Sequence, residues 1–143
     1  MDHTLVICKP DAVERGLVGS IIDRFERKGL VLVAAELRKI DPDTARRHYA
    51  EHEGKSFFEG LVAFITRSPS VLVVFEGPQD TYRVARSLMG ATDPSTAAPG
   101  TIRGDLAAEN PENLVHGSDS QESALREIDL FFPGLLSAIA PTS

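Results

Sequence analysis

Four short apolar runs, separated by segments with helical periodicity, constrain this chain more than any other feature. The runs are Thr4 to Cys8, Leu30 to Ile40, Val71 to Phe75 and Leu114 to His116, and each reads as a strand. Between them, Gly19 to Lys28 carries Ile21, Ile22 and Phe25 at helical spacing, with Gly29 as its stop. Asp41-Pro42 reads as an N-cap followed by proline in the first turn, opening a helix over Thr44 to His52. A further helix has Leu61, Val62 and Ile65 on one face, and Gln79 to Met89 forms another with Gly90 just past its end. A last helix spans Ser118 to Phe131, with Ala124, Ile128 and Phe131 on one face and a capping box from Ser118 with Gln121 or Asp119 with Glu122. Alternating strands and helices favour a layered α/β structure, while four short strands also suit a split βαβ arrangement with an antiparallel sheet. Pattern leaves both open.

The stretch from Ala91 to Asn113 shows no period and holds Pro94, Pro99, Gly100, Gly104 and Pro111. It reads as a long loop, a feature that compact domains keep mainly for function. Within it, Arg103 stands between glycines, suited to clamping phosphate through its planar fork.

A length of 143 residues fits one domain, residues 1–143, around a single core. Hydrophobic residues at 42% and charged residues at 25% place it among ordinary globular proteins. The net charge of −6 argues against a broad grip on nucleic acid or anionic lipid, though not against a local basic pocket for a small anion. Cys8 is the lone cysteine, so no intrachain disulfide forms. The first residues lack a signal-peptide pattern, and no apolar stretch is long enough to span a bilayer. The expectation is a cytoplasmic protein with no membrane partner.

The chemistry concentrates in Asn113-Leu114-Val115-His116-Gly117-Ser118-Asp119-Ser120. A histidine ends an apolar run, and capping residues follow, which sets an imidazole beside a helix N-terminus where a phosphate is favoured. On local context alone, a histidine that satisfies a hydrogen bond weighs equally. A neutral imidazole is a competent nucleophile, and Glu127 and Asp119 are both candidates to orient its second nitrogen. Lys9 at the end of the first strand is either a solvated lysine or a point charge for phosphate.

Other patterns carry less. His48-Tyr49-Ala50-Glu51-His52 spells the inverted zinc-protease pattern, but the pattern is short and usually needs a larger chain with a further carboxylate ligand, so it reads as an exposed helix. Gly54-Lys55-Ser56 looks like the end of a P-loop, but Tyr49 stands where the earlier glycine belongs. Phe57 and Phe58 default to core packing, with one of them suited to base stacking if exposed. Arg83 and Arg86 share a helix; Arg83 reads as solvated, whereas Arg86, Thr92 and Arg103 together offer donors for a polyphosphate.

Taken in order, these segments resemble the nucleoside diphosphate kinase family. The resemblance runs from Thr4-Leu5-Val6-Ile7-Cys8-Lys9-Pro10-Asp11 to Phe131-Phe132. It includes Arg15 to Gly19, His48-Tyr49, Phe57 to Val62, Met89 to Pro94, Pro99 to Asp105 and Asn113 to Ser120. It implies an α+β fold with a ferredoxin-like βαββαβ core, a four-stranded antiparallel sheet and additional helices. It implies transfer of the γ-phosphate of a nucleoside triphosphate to a nucleoside diphosphate through a phosphohistidine, by a ping-pong route that maintains triphosphate pools. Magnesium (Mg2+) is held mainly by the nucleotide phosphates, with no protein metal site.

The same resemblance implies roles. His116 is the phosphorylated nucleophile, Glu127 orients it, and Ser118 supports that pair. Lys9 contacts the transferring phosphate and the sugar, and Tyr49 packs and hydrogen-bonds near the histidine. Phe57 stacks on the base and Leu61 lines that cleft. Arg86 and Thr92 take the β-phosphate, Arg103 the γ-phosphate, and Asn113 the sugar. Assembly as a homo-oligomer, hexamer or tetramer, is also implied. Three departures from the family pattern are Asp93 for asparagine, Asn110 at a position that often sets an apolar side chain over the base, and Arg67-Ser68-Pro69 for a small-residue turn. A regulator that binds nucleotide without turnover is disfavoured by the joint presence of His116, Lys9, Arg103 and Asn113. A single-stranded nucleic-acid binder is disfavoured as a main role by the acidic balance.

Overall fold

Every residue of β1 from Thr4 to Cys8 is buried, because both faces of the sheet it belongs to are covered. The structure, a computed structural model, describes residues 1–139; the last four residues of the expected domain lie outside it. Its strands are β1 (Asp2–Cys8), β2 (Val31–Arg38), β3 (Ser70–Gly77) and β4 (Val115–Gly117). They form one sheet in the order β2-β3-β1-β4, and every adjacent pair is antiparallel. This is the α+β, ferredoxin-like arrangement that the resemblance implies, and it answers the question that pattern left open. Uninterrupted apolar runs mark strands buried on both faces, and here that double-sided burial occurs in an antiparallel sheet.

The helices among the described residues are α1 (Pro10–Glu14), α2 (Val18–Arg27), α3 (Pro42–His48), α4 (Phe58–Thr66), α5 (Thr81–Met89), α6 (Ile102–Leu106), α7 (Gln121–Phe131) and α8 (Leu135–Ile139). Side chains alternate along β1. Val6 and Cys8 join Ile21, Phe25, Val73, Phe75 and Met89 on one face, beneath α2 and α5. Leu5 and Ile7 join Val62, Ile65, Leu72, Val74, Ile128 and Phe131 on the other, beneath α4 and α7.

Several sequence expectations need correction. The helix expected over Thr44 to His52 ends at His48, and a 3-10 turn, Ala50–His52, follows it. The last helix starts at Gln121 and not at Ser118, because Ser118 is buried and its hydroxyl is turned to Glu127. Ser120 caps that helix instead, accepting from the Ser123 N–H at 2.9 Å, so neither proposed capping box forms. The loop from Ala91 to Asn113 contains α6, capped by Thr101, whose hydroxyl accepts from the Gly104 N–H at 3.0 Å. Arg103 therefore sits in a helical turn rather than on a flexed loop. Gly104 serves close approach, since a Cβ there would collide with the Ala98 carbonyl.

Candidate active site

His116 lies on β4 opposite Ile7 of β1, so its side chain emerges on the sheet face covered by α4 and α7, with α3 at their side. That register carries it to Glu127 on α7. His116 Nε2 is 2.9 Å from Glu127 Oε1, and the Ser118 hydroxyl donates to the same oxygen at 2.8 Å. Glu127 is almost fully buried. Burial alone would raise its carboxyl, but the bonds from His116 and Ser118 and the neighbouring imidazoles outweigh that and hold it down to about 2. An ionised carboxylate bonded to Nε2 fixes the ring and favours the proton on that nitrogen, which leaves Nδ1 as the free lone pair. Of the two orienting candidates, the structure places Glu127 on the histidine and leaves Asp119 exposed on the cleft wall.

The cleft around His116 has a volume of about 550 Å3. Lys9, Tyr49, Phe57, Leu61, Arg86, Thr92, Arg103 and Asn113 all line it, so every sequence-predicted residue except Ser118 opens onto one cavity, and Ser118 stands behind Glu127. Lys9 caps α1 and donates to Asn113 Oδ1 at 2.5 Å. Burial and the nearby Arg103 lower its ammonium to about 8. Asn113 is buried; its amide donates to the Thr92 carbonyl at 2.8 Å and to Asn110 Oδ1 at 3.1 Å.

Arg103 is buried and spends donors on three carbonyls: Nε on Asn113 at 3.2 Å, Nη1 on Gly90 at 2.9 Å and Nη2 on Val115 at 2.6 Å. A guanidinium has five N–H groups, so two remain for an anion in the cleft. Burial and the positive charge of Arg86 lower it to about 10. Arg86 Nη1 donates to the Gly117 carbonyl at 3.0 Å. Gly90 ends α5 at φ +86°, and a Cβ there would run into Thr101, so the turn that places Thr92 requires glycine.

Phe57 and Phe58 part company. Phe58 enters the core, whereas Phe57 is 49% exposed at the start of α4, with the His52 ring edge-on to it at 5.3 Å. Tyr49 packs against His48 with ring centroids 4.6 Å apart, and burial pushes its hydroxyl up to about 12. Among the described residues its hydroxyl makes no hydrogen bond to His116. Asp93, one of the departures, accepts from the Ser95 N–H at 2.9 Å in a local turn.

Two participants escaped the sequence reading. His48, read as part of an exposed helix, is only 3% exposed and lies edge-on to His116, ring centroids 4.7 Å apart. The helix ends there, so His48 turns inward while His52 reaches the cleft rim, and the pair does not share a face. Asp11 is also buried, and its Oδ2 accepts from the Leu114 N–H at 3.0 Å. Leu114 has φ +74°, a conformation that few non-glycine residues adopt, immediately before β4. The signal available for Asp11 was its place in the first turn of α1, beside Lys9.

A carboxylate-oriented imidazole facing three cationic side chains, in a cleft that also offers an exposed aromatic ring, has the make-up of a phosphotransferase for a ligand with both a planar ring and phosphates. Comparison with known proteins agrees. The chain matches the family described as "Nucleoside diphosphate kinase" over residues 2–135. It is 58% identical over 135 residues to the nucleoside diphosphate kinase of Frankia casuarinae, which covers 94% of this chain and 98% of that protein. It is 58% identical over 134 residues to the one from Mycobacterium sp. (strain MCS), covering 93% and 98%. Among solved structures, a halophilic nucleoside diphosphate kinase from Halobacterium salinarum in complex with CDP is similar with a TM-score of 0.89 and 51% identity, covering 92% of this chain and 88% of that one. The chain belongs to the nucleoside diphosphate kinase family. Its activity is that of a phosphotransferase, moving the γ-phosphate of a nucleoside triphosphate to a nucleoside diphosphate by the phosphohistidine route general to the family.

Proposed function

We propose that His116 is the residue that carries the phosphate. The observation behind this is the buried Glu127 carboxylate that engages Nε2 and is itself held by Ser118. The Nδ1 lone pair attacks the γ-phosphorus, the bond from that phosphorus to the bridging oxygen breaks, and the electrons leave on the diphosphate. After exchange of nucleotides, a terminal phosphate oxygen of the incoming diphosphate takes the phosphoryl group from Nδ1. Glu127 stays ionised and keeps the Nε2 proton in place throughout, so the ring needs no reorientation.

Arg103 and Lys9 neutralise the transferring phosphate, Arg86 and Thr92 take the β-phosphate, and Lys9 with Asn113 holds the sugar. Phe57 stacks on the base beside Leu61, without reading its edge, which suits acceptance of many nucleotides. Tyr49 acts by packing. Magnesium arrives on the nucleotide. The fit is chemical: with Glu127 committed to His116, the remaining carboxylates of the cleft, Glu51 and Asp119, are exposed oxygen donors too few to cage a hard cation that prefers water and phosphate.

The enzyme acts as one domain over residues 1–143 and maintains triphosphate pools in the cytoplasm, a setting that a lone buried cysteine suits. No described helix is long and apolar enough to cross a membrane. Assembly as a homo-oligomer, hexamer or tetramer, is supported by the exposed apolar side chains of the edge strand β2. Neither nucleic acid nor a membrane is a main partner.

Incubation with γ-labelled ATP and magnesium is expected to give an acid-labile, base-stable phosphoprotein that discharges onto a nucleoside diphosphate. His116→Ala is expected to lose both label and transfer. Transfer retained in that variant would overturn the assignment.

A further inference from the structure

Arg67 has no place in the mechanism above, yet it joins three elements around the cleft. It follows the last turn of α4, the helix that starts beside Phe57 and carries Leu61. Its Nε and Nη2 donate to the two oxygens of Glu14 on α1, at 3.1 and 2.6 Å. The same Nη2 donates to Glu112 Oε1 at 2.7 Å. Ser68 adds a hydroxyl bond to Glu14 at 2.6 Å. The guanidinium stacks on the Phe64 ring, 4.7 Å from its centroid, and the Lys9 ammonium lies over that ring at 5.6 Å.

Glu112 directly precedes Asn113, and Asn110 and Pro111 before it line the cleft. The segment between α6 and β4 is therefore fastened at Asn113 from inside the cleft and at Glu112 from outside. One helix, α4, presents Phe57 and Leu61 to the cavity at its start and grips the Asn110–Asn113 segment at its end.

We propose that Arg67 is a positioning residue for nucleotide binding, a clamp that holds the Asn110–Asn113 segment in register with the α4 wall through Glu112, using Glu14 and Phe64 as its base. An isolated exposed ion pair contributes little. Here a bidentate carboxylate and a stacked ring pre-orient the guanidinium, so engaging Glu112 costs little further side-chain entropy. The Glu127–His116–Ser118 unit lies outside the clamp. Its loss acts on binding, and on donor and acceptor alike, because one cleft serves both half-reactions. The inference rests on the proposed role of Asn113 in that cleft.

The test is steady-state kinetics on the full chain with ATP as donor and a nucleoside diphosphate as acceptor. Arg67→Ser is expected to raise KM for both substrates roughly three- to tenfold, with kcat within about twofold, the size of a ~1 kcal/mol loss confined to binding. Glu112→Gln is expected to do the same, and the double variant no more than either alone. Arg67→Lys, which keeps the charge without the fork, is expected to recover only part. Unchanged KM in Arg67→Ser, or additive effects of the two singles, overturns the clamp. Asn113→Ala separates the two levels. If it raises KM while Arg67→Ser does not, the clamp alone falls. If Asn113→Ala leaves KM unchanged, the reading of the cleft fails and the clamp with it.

Discussion

His48 shows how one buried ring ties stability to pH. It lies between Tyr49, His116 and Phe131, with neither ring nitrogen bonded to protein among the described residues. Burial first, and then the neighbouring His116, lower it to about 3. The unfolded chain takes up this proton near the ordinary value of 6.5, whereas the folded chain resists until about 3. Stability from this site is therefore full above pH 6.5 and is lost as pH falls toward 3. By pH 5 the loss should reach about 2 kcal/mol. Glu127 is depressed from 4.5 to about 2, so its own loss begins lower, below pH 4.5. Denaturant midpoints measured between pH 5 and 7 thus separate His48 from Glu127. The wild-type midpoint should fall across that range, and His48→Phe should flatten the fall; an equally steep fall in the variant would assign the proton uptake elsewhere.

At the scale of elements, the turn into β4 depends on α1. Asp11 accepts the Leu114 N–H, and the Lys9 N–H donates to the Leu114 carbonyl at 2.8 Å, so α1 grips both sides of a residue held at positive φ. Asp11→Ala should leave that buried N–H unsatisfied and destabilise the protein by about 1–3 kcal/mol in denaturant unfolding. Transfer should weaken too, because Leu114 joins Asn113 to the strand of His116. Asp11→Asn keeps an acceptor oxygen and should restore most of the stability; equal losses in both variants would show that charge, not the bond, matters. This dependency was not legible in the sequence, since Asp11 and Leu114 are distant in the chain and nothing local marks a leucine for positive φ. Amphipathic α2, α5 and α7 were legible because each buries one face. Helix α6 was not: it is short, follows Pro99-Gly100, and contains Gly104, which reads as flexibility but serves contact with Ala98. The residues that gather around the cleft were named through the resemblance, because they cluster in short motifs. The inward turn of His48 was hidden by a helix end that periodicity does not mark.

For the whole molecule, strand order decides which surfaces remain. With the order β2-β3-β1-β4, β2 and β4 form the edges, and β4 is engaged at the cleft. Strand β2 is different: Val31, Leu32 and Leu37 are 54%, 41% and 64% exposed. An apolar edge strand with unpaired backbone groups invites another chain, and proteins that remain monomeric usually blunt such an edge with charge or proline. Arg38, at the end of β2, bends back to Glu36 and the Phe131 carbonyl and leaves the apolar positions uncovered. The edge therefore fits an interface between copies of this chain, on a surface distinct from the cleft. Light scattering on the eluting protein should give a mass that is a multiple of the 15.5 kDa chain. Leu37→Lys places a charge on that surface without touching the core and should shift the population to smaller species. A wild-type monomer, or an assembly indifferent to Leu37→Lys at micromolar concentration, would show that β2 is not the contact.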